Sequence, residues 1–134
     1  MKNKKQKKSE TLKKGFTLVE VILVIAIITI LSAVAVPQVG KYINKANRSK
    51  VVGAVAELNN SSTSWSIDNG GNSPDSLQDV LTEQGNLQKL GIGLSSSGTF
   101  KIGNIKGTMV YSEGEVYAKI DSDSKAFPNE EIRK

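Results

Sequence analysis

The chain has 134 residues, enough for one modest domain plus an extended element. It contains neither cysteine nor histidine, which excludes disulfides and cysteine-ligated metals and removes the usual general base at neutral pH. We therefore predict no enzyme, no cofactor, and no catalytic, cofactor-binding or metal-ligating residue. Residues 1–15 hold seven lysines and one glutamate, so the formal net charge of +5 falls to −1 without them. Because the basicity is confined to that segment, we predict no nucleic-acid partner.

The first predicted element is a long apolar helix that follows the lysine-rich start. From Phe16 to Val36, 17 of 21 residues are apolar. A helix of about twenty such residues rises roughly 30 Å, enough to cross a bilayer. Glu20 lies near the beginning of this run, and no charge follows it from Val21 to Gly40. Since a carboxylate in an apolar segment is costly, Glu20 is a candidate functional residue.

The helix is predicted to continue to about Ser66, with a kink or loosened turn at Pro37 and Gly40, because proline removes a backbone donor. Its first half, residues 16–37, is apolar on all faces, whereas residues 38–66 are amphipathic. One face of this second half carries Lys41, Lys45 and Arg48, which we interpret as solvated cations. Another face carries an apolar stripe with three- and four-residue steps, formed by Val39, Tyr42, Ile43, Ala46, Val51, Ala54, Val55 and Leu58.

Residues 67–134 are predicted to form a small globular head with a short helix and an antiparallel sheet. The helix is predicted to have Ser73 as its cap and Pro74 in its first turn, and to end at Gly85 or Gly91. The strands are predicted from β-rich patterns, with a hairpin turn at Ser112-Glu113-Gly114, and comprise Thr99–Ile102, Thr108–Ser112 and Glu115–Asp121. The fold class is therefore α+β.

A head of this size is only marginally stable alone, so its sheet is expected to pack against the apolar stripe of the long helix. In this arrangement Trp65 and Phe100 are core residues. The tail from Ser122 to Lys134 is polar and is expected to be partly disordered. Carboxylates gather in and near it at positions 121, 123, 130 and 131, but their spacing matches no calcium-binding loop, and we interpret them as a solvated acidic tail.

The N-terminal segment has two simpler explanations. A secretory signal peptide would combine the basic start, the apolar run and a small-x-small site ending at Ala35. A plain membrane anchor would also fit, and the excess of lysines before the apolar run predicts an N-terminus in the cytoplasm. Either explanation leaves the acidic residue Glu20 unexplained, and cleavage after Ala35 would discard a segment continuous with the amphipathic helix.

The residues around the junction resemble a known family. The sequence Lys-Lys-Gly-Phe-Thr-Leu-Val-Glu over residues 13–20, followed by the long apolar run, is similar to the class III signal sequence of type IV pilins. The resemblance covers residues 13–37 specifically. It implies the type IV pilin fold, removal of residues 1–15 by a prepilin peptidase between Gly15 and Phe16, and methylation of the new Phe16 amine. It also implies that Glu20 neutralises the N-terminal amine of a neighbouring subunit, although an intrachain pair at i and i+4 stays open.

The resemblance implies a structural subunit that polymerises with itself through its N-terminal helix into a fimbrium, a type IV pilus for cell adhesion or twitching motility. Its partners would be the prepilin peptidase and a pilus assembly platform with its ATPase. The precursor would lie in the cytoplasmic membrane and the assembled filament at the cell surface. In having no cysteine, the chain resembles Gram-positive pilins of the clostridial type.

Three alternatives remain. A pseudopilin of a type II secretion system and a competence pilin would share the signal and the helix. The third, from a different class, is a secreted or membrane-anchored binding module.

Overall fold

The computed structural model describes residues 15–134. Predictions about the lysines of the leader, residues 1–14, lie outside the described residues. The α+β class is confirmed, because one long helix precedes a short helix and a small antiparallel sheet. In chain order the elements are α1 (Leu18–Asp68), α2 (Leu77–Gln84), a 3₁₀ helix (Leu87–Leu90), β1 (Thr99–Ile102), β2 (Ile105–Ser112), β3 (Glu115–Ile120) and β4 (Glu131–Ile132).

The chain divides into two compact units. The first ends at Pro37, and the second runs from Gln38 to Lys134. In the described part of the first unit every large apolar side chain is exposed, between 44% at Val21 and 88% at Phe16. The hydroxyls within this apolar helix are satisfied locally. Thr29 donates to the Ile25 carbonyl at 2.8 Å, and Ser32 donates to the Ile28 carbonyl at 2.7 Å. This unit therefore presents apolar surface all round.

The second unit is built on a four-stranded antiparallel sheet with strand order β1-β2-β3-β4. Its strands are joined in sequence order, so every neighbour in the sheet is also a neighbour in the chain. The predicted hairpin turn is confirmed between β2 and β3, where Glu113 and Gly114 have φ angles of 53° and 81°. Two successive positive φ angles give the turn whose twist matches that of paired strands.

One side of this sheet packs on the second half of α1. Val51, Ala54, Val55 and Leu58 are at most 2% exposed, and their three- and four-residue spacing places them on one helix face. That half of the predicted stripe is confirmed, as is the burial of Phe100 at 3% exposure. The other large core side chains from the head include Val80, Ile92, Ile105, Met109, Val116 and Ile120.

The earlier half of the predicted stripe does not pack against the sheet. Val39, Tyr42 and Ile43 are 52%, 67% and 53% exposed. The apolar periodicity continues along α1, but the sheet covers only its later turns. Trp65 is likewise half-exposed and lies outside the core cluster, so its assignment as a core residue is wrong.

Gly107 in β2 is required by close packing rather than by a turn. A Cβ at this position would lie 2.5 Å from the Lys119 carbonyl oxygen and 2.8 Å from the Phe100 ring. Those are distances that real Cβ atoms essentially never show. The sheet and the Phe100 ring therefore approach each other only because residue 107 has no side chain.

Two predictions about the head are wrong in detail. The helix α2 starts three residues later than predicted, with Ser76 as its cap, because the Asp79 carboxylate accepts hydrogen bonds from the Ser76 backbone N–H at 3.2 Å and from its hydroxyl at 3.3 Å. Gly85 ends it, as predicted. The tail is ordered, since Ile132 in β4 is 3% exposed and Ala126 is 6% exposed.

Candidate functional site

The predicted cleavage site lies in non-helical backbone just before α1. Gly15 and Phe16 have no regular secondary structure and both are exposed. Among residues 15–134, no atom lies within 4 Å of a Cβ built on Gly15. The peptide between these two residues is therefore accessible from solvent on the Gly15 side. A protease that needs an extended, unobstructed backbone could bind the chain here.

Thr17 caps the beginning of α1. Its carbonyl accepts the first helical hydrogen bond from Val21 at 3.3 Å, and its side-chain oxygen accepts from the Glu20 backbone N–H at 3.2 Å. Glu20 lies three positions after the cap, which is the spacing of a capping box. A threonine followed three positions later by glutamate is also a recognised sequence signal for a helix start.

Phe16 lies outside the helix in the uncleaved chain, because α1 begins at Leu18. Its amine is still in peptide linkage here, so the predicted i and i+4 pair between Glu20 and the new amine stays a prediction. Glu20 occupies the first turn of α1, where the helix dipole favours a negative charge.

The helix α1 is long and apolar enough to cross a membrane by the measures of length and composition. Its most apolar window has a mean hydropathy of 2.9 and no buried residue. Glu20 is the one ionisable side chain from Phe16 to Gly40. Its carboxylate is costly in a lipid or protein interior unless an opposite charge meets it.

The helix is continuous through the other residues that the sequence singled out. Pro37 and Gly40 both lie within α1, and the kink predicted there stays a prediction. Proline cannot donate a hydrogen bond, so the helix lacks one backbone bond at this turn. Ala35, the alternative signal-peptidase site, is also helical.

The acidic side chains of the tail region pair with cations. Arg48 on α1 donates from Nε to Glu130 at 2.8 Å and also from its terminal nitrogen, and this hydrogen bonding raises the pKa of Arg48. The hydrogen bond between Lys106 and Asp123 raises the pKa of Lys106 and lowers that of Asp123. Within residues 15–134 no group of His, Cys, Asp or Glu side chains is placed to hold a metal ion. The tail carboxylates therefore form ion pairs while they remain in contact with solvent, since the side chains of Glu130 and Asp123 are 30% and 69% exposed.

Comparisons with known proteins support the family resemblance of the residues at the junction. Residues 11–36 match the family described as the prokaryotic N-terminal methylation motif. The type IV major alpha-pilin of Moraxella bovis is 40% identical over 86 residues, which are 64% of this chain and 50% of that protein. Fimbrial protein Q of Moraxella bovis is 54% identical over 43 residues, 32% of this chain and 27% of that protein.

A third relative is the type IV major fimbrial protein FimA of Dichelobacter nodosus. It is 43% identical over 49 residues, which are 37% of this chain and 31% of that protein. The chain therefore matches half or less of the length of these curated relatives. No solved structure matches it.

Proposed function

Because this chain is homologous to type IV major pilins and carries the N-terminal methylation motif, we propose that it is a structural pilin subunit that polymerises into a type IV pilus. The observation that carries the proposal is the junction itself. An accessible glycine, a capped helix start and a lone carboxylate precede the apolar first half of α1, whose large apolar side chains are all exposed. Such a surface must be covered by lipid or by other helices.

The first proposed step is processing. A prepilin peptidase cuts the peptide between Gly15 and Phe16 and the Phe16 amine is methylated. Gly15 suits this step because it is exposed and its Cβ position is empty. The cut removes residues 1–15 and creates a cationic amine two residues before the helix start.

The second proposed step is assembly, in which Glu20 meets the Phe16 amine of a neighbouring subunit. Removing one partner of a buried ion pair costs about 3–5 kcal/mol, because the other charge is left uncompensated. Within residues 15–134 the Glu20 carboxylate accepts no hydrogen bond and makes no ion pair, which supports this step. The carboxylate is then available to another chain.

The proposed precursor lies in the cytoplasmic membrane with its N-terminus in the cytoplasm, and the filament lies at the cell surface. The assembly platform and its ATPase supply the movement, while this chain supplies the polymer. We propose no catalytic role, and the curated relatives are named as pilins and fimbrial proteins. Residues 16–37 form the membrane and filament-core segment, residues 38–66 connect it to the head, and residues 67–134 form the head.

The test is the fate of Glu20→Ala beside wild type in a host that supplies a prepilin peptidase and an assembly system. We expect both chains to begin with N-methylated Phe16 by mass spectrometry, and only wild type to sediment as filaments. Glu57→Ala is the matched control, because Glu57 is an exposed glutamate on the same helix.

Two results would contradict the proposal. A mature wild-type N-terminus other than methylated Phe16 would exclude this processing, and cleavage after Ala35 would support the secreted module. Normal filaments from Glu20→Ala would exclude the assembly role of the carboxylate. A pseudopilin or competence pilin would pass both tests and differ in the cellular process that is lost on deletion, either secretion or DNA uptake.

A further inference from the structure

Five lysines surround two adjacent cavities at one end of the second unit. They come from α1, from the β1–β2 hairpin and from the tail loop, and we call them the lysine collar: Lys41, Lys45, Lys101, Lys106 and Lys125. This is the end of the unit at which the chain enters from Pro37, and only three residues separate Pro37 from Lys41.

The two cavities are neighbours. The first has a volume of about 220 Å³ and is lined by Lys41, Asn44, Lys45, Ala126 and Phe127. The second, of about 160 Å³, is lined by residues of the β1–β2 hairpin with Lys106, Asp123 and Lys125. Asn104 of the second cavity donates to the Asn44 side chain of the first at 3.2 Å, which joins their walls.

The collar carries positive charge that its neighbours leave uncompensated. Asp123 is held by Lys106, and Glu130 is held by Arg48. Within the described residues 15–134 the other four lysines of the collar make no ion pair, and all four are exposed. Asp121 is the other carboxylate nearby, and its negative charge also raises the pKa of Lys106. The cavities therefore have an excess of cations.

Apolar and aromatic side chains accompany the cations. Phe127 is held at a φ of 51°, a conformation that is costly for a bulky residue, and its ring lies 5.9 Å from the Arg48 guanidinium. Tyr42, 67% exposed, lies between Lys41 and Ile43 on α1. Lysines whose stems lie along apolar surface, together with aromatic rings, are typical of residues at the headgroup level of a membrane.

We propose that the lysine collar binds the phosphate groups of anionic phospholipids at the extracytoplasmic surface of the membrane, so that the head docks on the bilayer before assembly. This inference rests on the proposed membrane-anchored subunit. Connectivity favours a lipid over a soluble anion or a second copy. The collar begins one helical turn beyond an apolar segment long enough to span the bilayer, which keeps it close to the headgroups.

The test measures the distance of the head from the bilayer in proteoliposomes of the processed full-length chain. The chain contains no cysteine, so a single Ser122→Cys, beside Asp123, can carry a fluorophore. Ser112→Cys, at the far end of β2, is the matched reporter. Quenching by a headgroup-labelled lipid is compared in phosphatidylcholine vesicles with and without phosphatidylglycerol.

We expect phosphatidylglycerol to increase quenching at residue 122 several-fold, and salt to reverse the increase. Quenching at residue 112 should change little. Each Lys→Gln substitution at position 41, 45, 101 or 125 should weaken docking roughly five-fold, and the four together should abolish it. Lys50→Gln, Lys89→Gln and Lys119→Gln form the control set, because these exposed lysines lie outside the collar. Fluorescence of Trp65 checks that each variant is folded.

Four results would overturn the proposal. Equal quenching in both vesicle types, or full docking by the fourfold variant, would exclude anionic lipid as the ligand. Docking that depends on protein density rather than on phosphatidylglycerol would identify a contact between copies of the chain. Loss of docking on addition of inorganic phosphate, at an ionic strength at which chloride has no effect, would identify a site for a free anion. Collar docking by a chain that never forms filaments would refute the pilus function and leave this inference intact.

Discussion

The most decisive stability prediction concerns Asn59, a buried polar residue on α1 that is 6% exposed. Its side-chain amide donates to the Val55 carbonyl at 3.0 Å and to the Val116 carbonyl at 2.9 Å, and it accepts from the Val116 N–H at 2.9 Å. The last strand, β4, pairs with β3 only at Ala118 and Lys119. The Asn59 side chain therefore takes the place of a strand beside Val116.

Replacing Asn59 with leucine leaves the Val116 N–H and carbonyl buried without partners. Each orphaned buried group costs about 1–3 kcal/mol. The added apolar contact of leucine offsets part of this loss, so we expect a net cost of roughly 3 kcal/mol. For a domain of this size that corresponds to a lowering of Tm by about 12–24 °C.

The assay is urea unfolding of the full-length chain in detergent micelles, followed by the fluorescence of Trp65, the one tryptophan. Asn60→Leu is the matched control, because it makes the same chemical change at the exposed neighbouring residue. We expect its stability to change by less than about 0.5 kcal/mol. If the two variants unfold at the same urea concentration, the Asn59 bridge does not stabilise the fold and the reasoning is refuted.

The same urea assay tests four further variants. Gly107→Ala should cost about 1–3 kcal/mol by overpacking, whereas Gly53→Ala, exposed on α1, should stabilise by about 0.5–1 kcal/mol; equal effects would contradict the close approach at Gly107. Tyr111→Phe should be neutral or stabilising, because the buried Tyr111 hydroxyl has no hydrogen-bond partner among the described residues, and a clear loss would show a missed partner. The pKa of Asp123 lies below its ordinary value of 3.8 because of the hydrogen bond from Lys106, so the stability from this pair is present above that value and lost as pH falls through the lower folded pKa. Asp123→Asn should therefore lose less stability than wild type between neutral and strongly acidic pH, and parallel losses would show that the pair does not contribute.

Elements whose conformation is determined by neighbouring residues in the sequence can be predicted from local patterns. Strand β1 and the Glu113-Gly114 turn follow from β-rich composition and from the positive φ that glycine accepts. The strand β4 has only two residues, too few for any periodicity, and it is fixed by pairing with β3. The polar composition of the tail therefore predicts partial disorder, although its apolar residue Ile132 reaches the core.

The parts of the candidate site that are contiguous in the sequence can be predicted from it. This is true of the motif around Gly15 and Glu20 and of the helix cap at Thr17. Asn59 could not be found in this way. On the helix it reads as a polar residue beside an apolar stripe, and its role depends on the backbone of Val116, 57 residues away.

The apolar surface of α1 explains why a single carboxylate can control the proposed assembly. Val51 is the first buried side chain of this helix, and the large apolar side chains from Phe16 to Ile43 are all exposed and left for other partners. In the bilayer those partners are lipid tails, which are as apolar as leucine, so transfer of the helix into a bundle gains little hydrophobic free energy. An ion pair between Glu20 and an amine can form in the filament but not with a lipid tail. The ion pair therefore stabilises the filament relative to the subunit in the bilayer, whereas the apolar surface stabilises both states nearly equally. Assembly should consequently fail without Glu20, even though every apolar contact remains.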